Sequence, residues 1–428
     1  MKRLLLTMAM GLAMSSGYAQ NALNLGGDIS MLPQYESVNT PYYTSVGGKI
    51  PNVLTYMKQT CKMNSMRVRL FVTPNANEAK DGVVQDLEYV KNLGKRIKAE
   101  GMDFMLDFQY SDTWADPSNQ NIPSTWKTNT TNAVLTDSMY TYTKRCLEYL
   151  KENDATPDFV QIGNEISYGM LWRNYSDRCY SNATAATWKR LTDFLSAGAK
   201  AVREVTPDAK IILHIERTGD ANSCVDFFNK METNGVDYDI IGLSYYPFWH
   251  KLLPSLNTTL NTLATKFPNK PVQIVETAYY YQYFPSDYPN QYDNTTSVWA
   301  ATPAGQQAFI EDLCTELAKH TNVTGLYYWF PEENGSGGAT WNANNVVLQH
   351  WINRGLWDNN SHKINPALLK LQNFLTQKEA LSIDGVQADN NESDAPTYTL
   401  SGQRVTSMSS PGIYIRGKKK YLISTAAH

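Results

Sequence analysis

Eight short apolar runs, each followed by a stretch long enough for a helix, constrain this chain more than any other feature. They are LGGDIS (25–30), SMRVRLFV (65–72), DFMLDFQY (103–110), DFVQIGNEI (158–166), KIILHIE (210–216), DIIGLSYY (239–246), PVQIVETA (271–278) and GLYYWFP (325–331). Between them lie amphipathic segments such as VQDLEYVKNLGKRIKAEG (84–101) and ATWKRLTDFLSAGAKAVREV (186–205). Strands that are apolar on both faces and separated by helices pair in parallel. Eight such units predict an α/β chain closed into a (β/α)8 TIM barrel over residues 21–380, with a doubly wound open sheet as the alternative. The positions of the unusual residues favour the barrel. Asp28, Arg69, Asp107, Glu165, His214, Tyr245, Glu276 and Trp329 all stand near the C-terminal ends of their runs. In a barrel those ends form one rim, on which active sites are built.

The fourth run ends in Asn164-Glu165 and opens into Tyr, Met and Trp instead of a solvated turn. A carboxylate there is costly to bury unless something pairs with it or uses it. For one glutamate, a structural ion pair and a site are equally good readings. Glu276, ending the seventh run, tips the balance. Two carboxyls on one rim are what a retaining glycosidase requires: one protonates the leaving oxygen and the other attacks the anomeric carbon, about 5–5.5 Å apart. Their surroundings should push the two pKa values apart. Asn164 suits a hydrogen bond to the sugar 2-hydroxyl. Arg67 and Arg69 share a face of the second run and could orient the nucleophile, as could a hydroxyl from Tyr245 or Tyr246.

Composition narrows the partners. A formal net charge of −3 over 428 residues gives no argument for nucleic acid or an anionic membrane. The 10 Trp and 27 Tyr suit stacking on the flat faces of sugar rings. Residues 1–20, MKRLLLTMAMGLAMSSGYAQ, pair a basic start with an apolar stretch too short to span a bilayer, followed by small residues. That pattern predicts a signal peptide cut after Ala19 or Gln20, hence an exported, soluble protein in the periplasm, at the cell surface or outside the cell. Five cysteines carry no metal-binding spacing; Cys179 and Cys224 could pair, and at least one thiol stays free. Residues 381–396 form a polar linker, and 397–428 a small β-rich appendage. Through YTLSGQRV and PGIYIRGKKKYLI the appendage is similar to the C-terminal sorting modules of secreted Bacteroidetes proteins; RGKKK alone would equally fit a partly ordered basic tail.

The barrel carries a more specific likeness. GGDISML (26–32), NSMRVRLFVTP (64–74), LDFQYSDTWADPSNQNIPSTW (106–126), VQIGNEISYGMLW (160–172), IIGLSYYPFWH (240–250), VETAYYY (275–281) and YYWFP (327–331) follow one another in order. Together they resemble glycoside hydrolase family 53, the endo-β-1,4-galactanases that act on the galactan of type I arabinogalactan. The resemblance implies Glu165 as acid/base and Glu276 as nucleophile, supported by Asn164 and Arg69. It also implies a sugar-binding floor and walls from Asp28, Asp107, Tyr110, Trp114, His214, Tyr245, Tyr246, Trp249 and Trp329. Three positions depart from the family pattern: Gln109 replaces a His, Phe71 a Trp, and YYWFPEENG the usual Glu-Pro version after the eighth strand.

Other readings stay in view. Trp114 and Trp126 lie in a loop that Pro117 and Pro123 keep from being helical; Trp114 is expected to bind substrate, and Trp126 could bind or pack. Without the resemblance His214 would be a satisfied core histidine. PEENGSGG (331–338) has the acidic residues of a Ca²⁺ loop without its regular spacing, and is expected to be a flexible acidic loop. No metal or other cofactor is expected, and the protein should be a monomer. The rival functions are another β-1,4-glycanase, such as a mannanase or xylanase, a non-catalytic glycan-binding barrel, or a structural surface protein.

Overall fold

All eight apolar runs become strands: β1 (Asn24–Asp28), β2 (Ser65–Leu70), β3 (Asp103–Phe108), β4 (Phe159–Ile162), β5 (Lys210–Ile215), β6 (Ile240–Tyr245), β7 (Val272–Thr277) and β8 (Val323–Trp329). The computed structural model describes residues 23–127, 130–180, 183–282, 293–334, 353–384 and most of 396–423. The expected signal peptide and most of the expected linker lie outside these residues. Each strand pairs in parallel with its neighbour in sequence, and β8 closes on β1 through a register running from Asn24 opposite Gly325 to Asp28 opposite Trp329. Closure excludes the open doubly wound sheet.

Local chemistry starts and orients the helices. The carboxylate of Asp86 caps Leu87–Ala99 by accepting the Tyr89 N–H, and Val90, Leu93 and Ile97 form its buried face. Thr184 and Thr187 bond reciprocally across the first turn of Ala185–Val205, which buries Leu191, Phe194, Leu195 and Val202. These faces and the outward strand residues make the main core.

Inside the barrel the side chains change character along the strands. Met105, Phe159, Ile212, Ile240, Val275 and Tyr327 form a separate apolar cluster. Two residues further along their strands stand Asp107, Gln161, His214 and Trp329, because successive side chains alternate between the two sheet faces. The floor of the rim is therefore polar and rests on an apolar plug. β7 reaches the same level by an irregularity: its pairing with β6 slips between Leu243 and Ser244, so that Ser244 opposes Glu276 instead of Val275. Val275 stays in the apolar layer and Glu276 also turns inward, which strict alternation would forbid. Such bulges re-aim side chains next to active sites.

Near the C-terminus, β9 (Thr397–Thr399), β10 (Arg404–Val405), β11 (Gly412–Arg416) and β12 (Lys419–Ile423) form an antiparallel sheet in the order β10-β9-β11-β12. All five cysteines are buried and free, so Cys179 and Cys224 do not pair. Among the described residues no helix is long and apolar enough to cross a membrane.

Candidate active site

β4 ends early, at Ile162, and the backbone then turns sharply. Gly163 takes φ +82°, and an added Cβ would lie 2.7 Å from Ile166 Cγ2. Glu165 takes φ 49°, ψ 50°, a left-handed conformation costly for a residue with a Cβ and typical of strained functional positions. This turn lifts the half-buried Glu165 carboxyl to the rim, where Oε1 lies 2.7 Å from the Ser244 hydroxyl. Across the cleft Glu276 is 5 % exposed. Its Oε1 pairs with an Arg67 nitrogen at 2.9 Å, and its Oε2 accepts the Tyr246 hydroxyl at 2.9 Å. One oxygen of each glutamate lies within 4.8 Å of the other.

Arg67 organises the floor. Its guanidinium also donates to Asp28 at 2.7 Å, Asp107 at 2.9 Å, Gln161 Oε1 at 3.2 Å and Asn164 Oδ1 at 2.8 Å. Asn164 is fixed from both ends, because its Nδ2 donates to the Ala115 carbonyl at 2.8 Å. Burial pushes the Glu165 carboxyl well above the ordinary range, and the like charges of Glu276 and Glu216 add to this. Burial also raises Glu276, but Arg67 and Tyr246 pull it back. Burial and like charge thus favour the protonated form at Glu165, where no cation opposes them, more than at Glu276, where Arg67 does. Burial carries Asp107 up to about 6 despite Arg67. His214, buried with Arg67 nearby, is held well below its usual pKa and is neutral.

The cleft above these groups, of about 530 Å³, is bounded by Trp114, Trp249 and Trp329, with Arg69, Gln109, Asn164, Tyr246 and the polar side chains of Glu78, Asp116, Asn119 and Asn121. Arg69 lies 4.3 Å over the Trp114 ring and pairs with Asp28 at 3.1 Å. Trp249 is 47 % exposed and packs edge-on against Tyr246.

Several expected assignments need correction. Arg67, not Arg69, holds Glu276. Asp28, Asp107 and His214 are fully buried beneath the cleft and engaged by protein partners, so they support its floor without lining it. Tyr110 and Tyr245 face the other way. The inward positions are 105, 107 and 109 on β3 and 240, 242 and 244 on β6, so residues 110 and 245 point into the outer layer. There Tyr110 bonds Thr143 Oγ1 at 2.7 Å, and Tyr245 donates to the Lys251 carbonyl at 3.1 Å. Trp126 packs on Tyr142 as part of that layer. In the acidic segment after β8, Glu332, Glu333 and Asn334 are buried at 0–1 % exposure, contrary to a flexible loop. Glu332 accepts the Met31 N–H and Glu333 the Gly355 N–H; residues 335–338 lie outside the described residues. Ser244, one residue before the end of β6, has no signal of its own in the sequence and is inward by alternation from Ile240 and Gly242.

Glu165, His214 and Glu276 are the one group among the described residues whose donor atoms could surround a metal ion. Both ring nitrogens of His214 are already hydrogen-bonded to side chains, which leaves two carboxyls whose spacing matches a retaining pair instead.

A closed eight-stranded barrel with two facing carboxyls across an aromatic cleft defines the class: a (β/α)8 glycoside hydrolase. The model of glycosyl hydrolase family 53 matches residues 24–371, and the chain belongs to that family. It is 32 % identical to the arabinogalactan endo-β-1,4-galactanase of Cellvibrio japonicus over 80 % of this chain and 89 % of that one. It is 35 % identical to a probable arabinogalactan endo-β-1,4-galactanase A of Aspergillus tubingensis over 63 % of this chain and 74 % of the relative. The solved GH53 catalytic domain of Ignisphaera aggregans superposes with a TM-score of 0.73 at 29 % identity, covering 84 % of this chain and 98 % of that structure.

Proposed function

We propose that this protein is an exported, monomeric, retaining endo-β-1,4-galactanase acting on galactan and type I arabinogalactan, with Glu165 as acid/base and Glu276 as nucleophile. The observation that carries the reading is the pair of carboxyl oxygens within 4.8 Å of each other in contrasting environments. Glu165 holds the proton that the leaving oxygen needs. Glu276, ionised against Arg67 and Tyr246, attacks the anomeric carbon. Glu165, now ionised, then takes a proton from the water that releases the sugar. Asn164 gives one amide hydrogen to Ala115 and keeps the other for the 2-hydroxyl, a contact that strengthens in the transition state. Trp114, Trp249 and Trp329 offer ring faces for the chain, and Arg69 and Gln109 offer N–H donors. The substrate class is supported by the names of the relatives, and export by the signal pattern in residues 1–20; residues 397–428 serve as a separate appendage.

The test is product release from purified linear β-1,4-galactan, mannan, xylan and cellulose. Short galacto-oligosaccharides from galactan alone are expected; release from a different glycan would keep the chemistry and overturn the substrate. Glu276→Ala should abolish turnover of every substrate. Glu165→Ala should retain activated aryl glycosides, with azide restoring deglycosylation, since a good leaving group needs no proton. Equal, unrescued loss in both variants would contradict the two roles.

A further inference from the structure

The direction of each hydrogen bond behind Glu165 can be worked out from groups that have no choice. An Arg guanidinium only donates, and a backbone carbonyl only accepts. Asn164 therefore turns Oδ1 to Arg67, at 2.8 Å, and Nδ2 to the Ala115 carbonyl, at 2.8 Å. Gln161 likewise turns Oε1 to Arg67 Nε and Nε2 to Asp107 Oδ1, at 2.6 Å. His214 Nδ1 lies 2.9 Å from that fixed Asn164 oxygen. Without a hydrogen on Nδ1 two lone pairs would face each other there, so Nδ1 carries the proton. Gln161 Nε2, 3.1 Å from Nδ1, has carbonyl acceptors on Gly163 and Asn164 for its second hydrogen. In this neutral ring Nε2 is an acceptor, and its partner is the Ser244 hydroxyl at 2.8 Å.

A serine hydroxyl has one hydrogen. Given to His214, it leaves only lone pairs facing Glu165 Oε1 at 2.7 Å. That contact is a hydrogen bond when Glu165 is the carboxylic acid, and a repulsion when it is the carboxylate. We propose that His214 is a positioning residue that fixes the Ser244 hydroxyl as the acceptor of a protonated Glu165, so that a single directed chain runs from Glu165 through Ser244 and His214 to Asn164. The chain favours the loaded acid and links it to the side chain placed to bind the sugar 2-hydroxyl. When Glu165 gives its proton to the leaving oxygen, the Ser244 hydrogen must swing from His214 to the new carboxylate. The inference rests on the acid/base reading of Glu165.

The charged and titratable groups around this chain are Arg67 on β2, Asp116 in the loop after β3, Glu216 after β5, Tyr246 and His250 after β6, and Glu276 on β7. Arg67 and the desolvated setting exclude an imidazolium, which would otherwise let both ring nitrogens donate.

Nitrogen-15 NMR of the full-length protein labelled at its six histidines, assigned with His214→Asn, reads the tautomer without turnover. Protonated Nδ1 and bare Nε2 are expected at neutral pH; protonated Nε2 or a doubly protonated ring would overturn the proposal. Because no catalysis is needed, this result stands apart from the azide rescue that tests the acid/base reading itself. A second measurement is the alkaline limb of kcat/KM on galactan. His214→Phe frees Ser244 to donate to ionised Glu165, so the limb should move down by about one pH unit, the size of one hydrogen bond to a charged group. In Ser244→Ala the same His214 change should leave the limb in place, and Ser244→Thr, which keeps the hydroxyl, should preserve the native limb. Loss of activity by an equal factor at every pH, with no limb moved, would mean that His214 is only structural and would sink the idea.

Discussion

Arg67 donates to five side chains and is 1 % exposed; Asp28 also pairs with Arg69, but for Asp107 and Glu276 the ion-pair partner among the described residues is Arg67. Removing it leaves them uncompensated. Arg67→Met is expected to lose about 3–5 kcal/mol of stability, measurable by denaturant unfolding. Arg67→Lys keeps the charge but not the planar fork. Arg67 lowers the pKa of Glu276, so weakening the contact raises it. Glu276 must be ionised to attack; the acid limb of kcat/KM should therefore move to higher pH, and an unmoved limb would argue against Arg67 as its partner. At this scale the sequence located the two glutamates, since each is a carboxyl ending an apolar run. It misjudged their neighbours. Asp28, Asp107 and His214 look like ligands in sequence because nothing there reveals that Arg67, Gln161 and Asn164 already satisfy them. Tyr110 and Tyr245 each lie five residues from an inward side chain, Met105 and Ile240, and alternation therefore puts both on the outer face once the fold shows which side is inward.

Two short irregularities place the carboxyls. The turn after β4 needs Gly163 at positive φ with no room for a Cβ. Gly163→Ala should destabilise the protein by about 1–3 kcal/mol through strain at that φ and displace Glu165. The check is a lowered Tm together with a fall in kcat on galactan that exceeds any rise in KM. Native stability and kcat would show that the turn tolerates a side chain. The slip in β7 is the other irregularity. By alternation Val275 and Glu276 should face opposite ways, and only the pairing of β6 with β7 shows that both face in. Apolar periodicity predicts a strand but carries no trace of an extra residue within it, so the bulge was not legible before the fold was known.

For the whole molecule, eight alternating units were enough to anticipate the barrel, because parallel strands buried on both faces leave few other closures. Barrel closure joins β1 to β8 and does not involve the last sheet. A chain ending at residue 384 should therefore keep its Tm and its kcat/KM on soluble galactan; a clear fall in Tm would show that the appendage braces the barrel. The central claim is that Glu276 bonds covalently to the sugar while Glu165 manages the proton. The most direct measurement is peptide mapping by mass spectrometry after inactivation with a 2-deoxy-2-fluoro-β-galactosyl donor bearing a good leaving group. The account predicts one fluorosugar per chain, carried on Glu276. A label on Glu165, or turnover that continues with no label at all, would contradict it.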